Sequence, residues 1–426
     1  MKKLLLFIVI IFPHWGLGGC FAQADFTRIY HPIINEAELA IVDTNYYDAL
    51  DFYKEAFANV KHPFAKDYYN AAICAAMLGK LPLTFDYLEK IVEKGYPSDS
   101  LRKDVFFHYV ADTCKQWNDF EKRMQLIKPN INQELRDSLK KLYALSAMEI
   151  YTPLSPELRK YYKEKYTPKI DTVDGKPVVI YQIRMPFDSL IFDSRMSKEL
   201  RLQYDSLKTN NNKIYRKNNE AALNKTYAII ENEGFLDENI IGLSGYDIKF
   251  KNPYGASIIN NNWTFNNNLT TNVLMNGGFN ENTGKILIKA IRDGKISPHK
   301  ISHNIPLRFN IISKSLESPV PLAYTLGNVQ ILQLQLESNL TCENMKDIAN
   351  KKFWKKEKLG DYSETEINEK RQDIGLEKLA DAYKKAFFKA NPTPFIINGG
   401  NYQSELSYIS SCEVLEKAIK ESVILR

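Results

Sequence analysis

His299 and His303 stand four residues apart, a spacing that sets two imidazoles on one face of a helix and that metal sites use. A zinc-protease helix also needs a glutamate between them, and here the intervening residues are Lys300, Ile301 and Ser302. Ser297-Pro298 reads as a helix start and Pro306 as its stop, so the expectation is two ordinary histidines and no metal site. Glu364, Glu366 and Glu369 cluster as catalytic carboxylates would. Ser363-Glu364-Thr365-Glu366 is also a capping box, and acidic residues in a first turn complement the helix dipole, so capping is expected there. The run Lys351-Lys352-Phe353-Trp354-Lys355-Lys356 mixes charge with aromatic faces, as a polyanion or phospholipid surface would require. It is read instead as a solvated helix face with its aromatics packed inward. No G-x-S-x-G, P-loop or G-x-G-x-x-G occurs, and neither catalytic residues nor a cofactor are expected.

The elements that must position any site begin with an address. Lys2-Lys3 precedes an unbroken apolar run, Leu4 to Phe12, with small residues after it. That pattern reads as a secretory signal peptide. Cleavage after Ala22-Gln23-Ala24 would make the leader residues 1–24; Leu17-Gly18-Gly19-Cys20 resembles a lipobox, which would end the leader at 19 and lipidate Cys20. Either route gives an exported protein, periplasmic or a membrane-anchored lipoprotein of a Gram-negative bacterium. The net charge of +6, with 57 basic and 51 acidic residues dispersed along the chain, is no footprint of a nucleic-acid binder. At 44 % hydrophobic and 25 % charged, the composition is globular, and 426 residues allow two or three domains. Beyond Cys20, Cys74, Cys114, Cys342 and Cys412 are widely spaced without C-x-x-C; a Cys342–Cys412 bridge is one of three possible pairings among those four.

Shifted by 35 residues, the stretch Ile29 to Pro97 matches itself. Asn35 falls on Asn70, Ala37 on Ala72, Tyr46 on Leu81, Tyr53 on Leu88 and Ala56 on Ile91. Each copy is two amphipathic helices about a turn, Asp43-Thr44-Asn45 in the first and Leu78-Gly79 in the second. The small residues Ala71, Ala72, Ala75 and Ala76 let a paired helix approach, and Phe85, Leu88 and Ile91 supply the ridge. With Tyr68, Ala72, Leu78-Gly79 and Pro97 at its marked positions, the segment resembles the tetratricopeptide family. Ser100 to Met124, with Leu101, Val105, Phe106, Val110, Trp117 and Phe120 at helical spacing, is read as a degenerate third hairpin ending at Pro129. The resemblance implies a concave groove lined by the first helix of each repeat. Its positions hold His31, Ile34, Asn35 and Glu38 in one copy and Lys66, Tyr69, Asn70 and Ile73 in the other. Asn35 and Asn70 occupy the same slot, and a carboxamide both donates to and accepts from a peptide backbone. Asn35, Lys66, Tyr69 and Asn70 are therefore the expected partner-binding residues, with bonding between adjacent helices as the alternative for the two asparagines.

Downstream, helices are expected over Asn132–Met148 and Glu199–Ile230, the latter interrupted at Asn210–Asn212, and over Ile286–Ile291 and Lys346–Lys389, broken near Gly360. A strand is expected at Pro177–Ile183. Lys251 to Asn282 carries eleven asparagines and reads as loop or short strands. The segments E-L-R-D-S-L from Glu134, L-N-K-T-Y-A-I-I-E-N-E-G-F-L-D-E-N-I-I-G ending at Gly242, I-L-I-K-A-I-R-D-G-K-I-S-P ending at Pro298 and E-I-N-E-K-R-Q-D-I-G-L-E-K-L from Glu366 resemble, in that order, an uncharacterised bacterial domain over about 133–386. Where that family shows Asp-Arg and Tyr-Gly-Thr-Gln, this chain has Leu307-Arg308 and Tyr324-Thr325-Leu326-Gly327-Asn328. The expected architecture is mainly α: a tetratricopeptide-like hairpin stack over 25–129, then an α-rich domain with a few short strands over 130–426. The expected function is a non-catalytic interaction or scaffold protein of the cell envelope, binding a protein or peptide through the groove. The alternative is a hydrolase-like enzyme whose active site lies in the C-terminal half.

Overall fold

The computed structural model describes residues 26–147, 157, 170–173, 176–179, 197–243, 268–277, 280–304, 329–336, 353–356, 363–399, 402–409, 411–420 and 423–424. The expected leader, Cys20, Cys342, His303's side chain and the stretches around Leu307-Arg308 and Tyr324–Asn328 lie outside the described residues. What is described is mainly helical.

A π-helical turn, Phe26–Tyr30, leads into α1 (His31–Val42) and α2 (Tyr46–Asn59); α3 (Ala65–Met77) and α4 (Leu81–Glu93) repeat the pair. Three residues join the helices of each pair, and they must reverse the chain. In the second pair Gly79 does so at φ +69°, a left-handed conformation that costs glycine little; in the first, Thr44 is driven to φ +59°. Ala72 and Ala49 are fully buried, as the close approach of paired helices requires. Three shorter helices follow, α5 (Ser98–Leu101), α6 (Phe107–Thr113) and α7 (Trp117–Leu126). Trp117 and Phe120 close this end of the stack against Phe85, with Phe120 stacked on it at 4.3 Å. Val105, expected on the apolar face, is instead 75 % exposed, because it lies in the turn between α5 and α6.

Beyond the stack come α8 (Gln133–Ala147), α9 (Lys198–Glu233), α10 (Leu269–Asn276), α11 (Glu281–Arg292) and α12 (Pro298–Asn304). Two expectations fail here for reasons of helix chemistry. The α9 helix runs unbroken through Asn210–Asn212, since Asn210 and Asn212 are exposed and asparagine costs an exposed helix only about half a kcal/mol per residue. The asparagine-rich stretch holds α10 and the start of α11, because two of its asparagines serve as caps: Asn268 Oδ1 accepts from Thr271 N at 2.9 Å and Asn280 Oδ1 from Thr283 N at 2.9 Å. Among the described residues, apolar clusters of this half form around Leu274, Leu287, Ile291 and Leu376 and around Leu139, Ala222, Leu236 and Val273.

Toward the C-terminus lie α13 (Glu364–Asp373), α14 (Leu379–Lys389) and α15 (Cys412–Lys420). Ser363 and Glu366 form the capping box at the head of α13, with Ser363 N donating to Glu366 Oε2 at 2.8 Å. Six strands are described: β1 (Ile170–Val173), β2 (Lys176–Val179), β3 (Val329–Leu336), β4 (Phe353–Lys356), β5 (Tyr402–Ile409) and β6 (Val423–Ile424). β1 and β2 pair antiparallel; the other four order as β5-β3-β4-β6, with β3 parallel to β5 from Val329↔Tyr402 to Leu336↔Ile409. Phe353–Lys356, expected in a helix, is thus a strand: Phe and Trp suit a pleated surface, and β3 supplies the ladder. Cys412 is disulfide-bonded, its partner lying outside the described residues, while Cys74 and Cys114 are free.

Pro129 is a boundary in the sequence that packing crosses. The core of the stack includes Leu243, Phe395, Ile396 and Ile397, and Lys94 O accepts from Leu243 N at 2.9 Å. No described helix is long and apolar enough to cross a membrane.

Candidate functional site

After Lys389, the sequence Asn391-Pro392-Thr393-Pro394 stops the helix. Proline removes a donor and pushes the residue before it toward extended backbone, so α14 gives way to an irregular arm over 391–399. Helix and arm together lie along the first helices of the two hairpins. The face expected to form an open groove is therefore covered by the chain's own C-terminal segment.

Asn70 sits at the centre. Its Nδ2 donates to Ile396 O at 2.9 Å and its Oδ1 accepts from Ile396 N at 2.9 Å, so one carboxamide satisfies both backbone groups of one residue. One repeat earlier, at the same slot, Asn35 is half-buried and donates through Nδ2 to Asp381 Oδ2 at 3.1 Å. Both asparagines bond the segment, and Asn70 also lies within hydrogen-bonding reach of Tyr53 in the neighbouring hairpin. Tyr69 turns to the end of the stack, its hydroxyl donating to Asp104 Oδ2 at 2.9 Å, while Asp104 Oδ1 accepts from Phe106 N and Phe107 N. Lys66 is 3 % exposed and bonded to Glu38 Oε1 at 2.6 Å, with Asp67 Oδ1 at 2.8 Å. All four residues expected to bind a partner are therefore engaged within this chain.

Glu38 is the hub the expectation undervalued. Fully buried, it accepts from Lys66, from Lys385 Nζ of α14 at 2.7 Å and from Asn398 N of the arm at 3.1 Å. Burial alone would raise its pKa, but Lys385 and Lys66 overcome that and hold it down at about 2. Against its own desolvation, Asp67 and Glu38 raise the pKa of Lys66. Asp67 is further held by Tyr30, whose hydroxyl donates to its Oδ2 at 2.6 Å and accepts from Phe64 N at 3.1 Å.

A second buried carboxylate, Glu377, lies beyond Lys385. His299 Nε2 and Arg371 Nη2 both meet it, the latter at 3.3 Å, and Arg371 Nε donates to its backbone oxygen. His299, Lys385 and Arg371 together hold it well below the usual carboxylate range. The pair His299-x-x-x-His303 is thus represented here by one imidazole committed to a carboxylate. His31, 6 % exposed and stacked on Phe64, is driven to a pKa of about 3, mainly by burial and then by the nearby His299 and Lys66. Gly375 at φ +78° lets the chain pass this ring, since a Cβ there would sit 2.9 Å from His31 Cδ2. Lys389 donates to Gly399 O at 2.7 Å, closing the arm on its own helix, and burial lowers it to about 8.

Sequence reasoning missed Asp67, Lys385, Asn398, Ile396, Arg371 and Glu377. The one legible signal was Glu38 itself, a carboxylate in the line Ala37, Ala40, Ile41 on the inward side of a helix. A charge at such a position needs a partner cation, but nothing local says that the cation comes from residue 385. Comparison with protein-family models, with curated proteins and with solved structures finds no match to this chain.

Proposed function

We propose that the chain is an exported, non-catalytic interaction or scaffold protein of the Gram-negative cell envelope, built on a tetratricopeptide-like hairpin stack that grips an extended segment. The observation that carries this reading is the two-way bond between Asn70 and Ile396. It reads backbone and not side chain, and it is made from the position that the repeat pattern assigns to a ligand groove. In its resting form the protein holds its own residues 391–399 there. The disulfide at Cys412 supports an oxidising compartment, and the basic–apolar leader supports export. A photo-reactive residue in place of exposed Tyr47, next to the Tyr46 that stacks on Phe395, is expected to capture a discrete envelope protein in the producing bacterium. Absence of any adduct from Tyr47 and from exposed Met77 would sink the interaction reading.

The enzyme alternative has one observation in its favour. Ser297 Oγ lies 3.3 Å from His299 Nδ1, and His299 Nε2 meets Glu377, which lines up hydroxyl, imidazole and carboxylate. The same carboxylate is shared with Arg371, and Ser297 lies just ahead of α12, where a hydroxyl beside a first-turn side chain has an ordinary structural role. A fluorophosphonate that labels the wild type and not Ser297→Ala would reverse the order of the two readings.

A further inference from the structure

The buried charges on the groove side do not balance. Glu38 and Asp67 are two buried carboxylates set against one buried lysine, Lys66, with His31 neutral. The stack therefore has one more buried carboxylate than buried cation around Glu38; Lys385 of α14 meets Glu38 directly, and the buried Lys389 of the same helix acts on it from farther away. Around it the segment offers Ile396's N–H and C=O to Asn70, Asn398's N–H to Glu38, and Phe395 to the ring of Tyr46 at 5.8 Å.

From this we infer that the groove selects one chemical class of partner: an apolar peptide whose helical part carries a basic side chain that replaces Lys385 at Glu38 and whose extended part pairs with Asn70, in competition with residues 379–398, which are its built-in occupant. This rests on the interaction reading above and adds the identity of what is bound. An acidic peptide is excluded by the same balance, because it would leave two uncompensated charges in a dry site. A neutral apolar peptide leaves Glu38 one cation short. The arm is irregular and set off from α14 by two prolines; it meets α3 through the pair of bonds on Ile396 and α1 through Asn398 N at Glu38.

The probe is a fluorescent peptide of residues 383–400 (YKKAFFKANPTPFIINGG), titrated against the full chain by anisotropy. The wild type, with its groove occupied, is expected to bind it weakly. The full-chain variant Lys385→Gln/Ile396→Pro lacks the internal cation and the N–H that Asn70 accepts. It is expected to bind the peptide about tenfold or more tightly than the wild type does, and to melt higher when the peptide is added. The same peptide with Lys385→Gln should lose about tenfold of that affinity. A variant that keeps its helical circular dichroism but binds no better than wild type overturns the inference, as does equal affinity for the two peptides. Hydrogen exchange of the unmodified chain tests the idea even if the variant does not fold. Amides of residues 395–398 are expected to exchange faster than those of α3, and exchange of both only through the same global opening overturns it. Failure of the peptide with the Tyr47 adduct intact removes this inference alone; loss of both removes the interaction reading with it.

Discussion

The two hairpins carry one pattern and do different work. Thirty-five residues apart, His31 corresponds to Lys66, Ile34 to Tyr69, Asn35 to Asn70 and Glu38 to Ile73. All but Asn35 are buried, and all lie on the first helix of their pair. In the first hairpin the slot at 38 is a carboxylate that ties three elements together; in the second the equivalent slot is Ile73, an apolar core residue. Lys66 lies at the slot where the first hairpin has a neutral histidine, and it reaches back to Glu38. The repeat therefore determines where side chains point, and the differences between its copies determine what they hold. A perfectly repeated pair, with Glu or Ile at both positions, would make either an uncompensated pair of charges or no polar hub.

The largest effect should come from the unequal slot. Glu38→Ala leaves Lys66 and Lys385 buried with one carboxylate fewer, and the expected loss is roughly 3–5 kcal/mol in urea unfolding. Ile73→Val, at the equivalent position, should cost only about 0.5–1.5 kcal/mol. Similar losses for the two would mean that the buried network is not the hub described above.

Acid should separate the hairpins next. His31 has a folded pKa of about 3 against an ordinary 6.5, so the unfolded chain binds the extra proton. Its contribution is complete above pH 6.5 and is lost as pH falls from there toward 3. Glu38, lowered to about 2 from 4.5, adds a loss that begins only below pH 4.5, and Glu377 acts in the same direction. His31→Gln should move the onset of acid destabilisation from near pH 6.5 to near pH 4.5. The smaller downward shift of exposed His62 leaves a shallow slope between them. A midpoint profile identical to wild type between pH 4.5 and 6.5 would rule out His31 as its source.

The paired asparagines give a finer contrast. Asn70→Ala strands both backbone groups of Ile396 in a dry site and should cost about 1–3 kcal/mol, whereas Asn35→Ala loses one bond at a half-buried site and should cost about 1 kcal/mol or less. Equal losses would place the two side chains in equivalent environments, contrary to the geometry. The smallest effect belongs to the turns. Thr44 holds the left-handed conformation that Gly79 holds in the other copy, so Thr44→Gly should stabilise by about 1 kcal/mol, and Gly79→Thr should destabilise by about as much or more. A higher melting temperature for Gly79→Thr would contradict the shared turn geometry.

Local chemistry made much of this legible in advance. Periodicity placed α1 to α4 and the inward faces of α1 and α3, because an amphipathic helix must bury its apolar stripe whatever it packs on. The capping box at Ser363 and the helix start at Ser297-Pro298 were equally local. Where the reading went astray, a local preference was weak beside a distant partner. Phe353–Lys356 became a strand because β3 pairs with it, and the asparagines at 268 and 280 became caps because helices followed them.

The site divides along the same line. That Asn35 shares the groove face was what the repeat resemblance implied. The sequence alone determined that Lys66, Tyr69 and Asn70 lie on one side of a helix, that Glu38 is a charge on an inward helix surface, and that prolines 392 and 394 interrupt any helix. These are consequences of a 3.6-residue period and of proline's missing N–H, which act over a few residues. Only the tertiary structure decided what meets that face. Lys385 lies 347 residues from Glu38 and Ile396 lies 326 residues from Asn70. Closing loops of that length is a cost that no local preference encodes and that only the assembled core offsets. The charge on Glu38 announces a missing cation; which of the chain's 57 basic residues supplies it is a property of the fold.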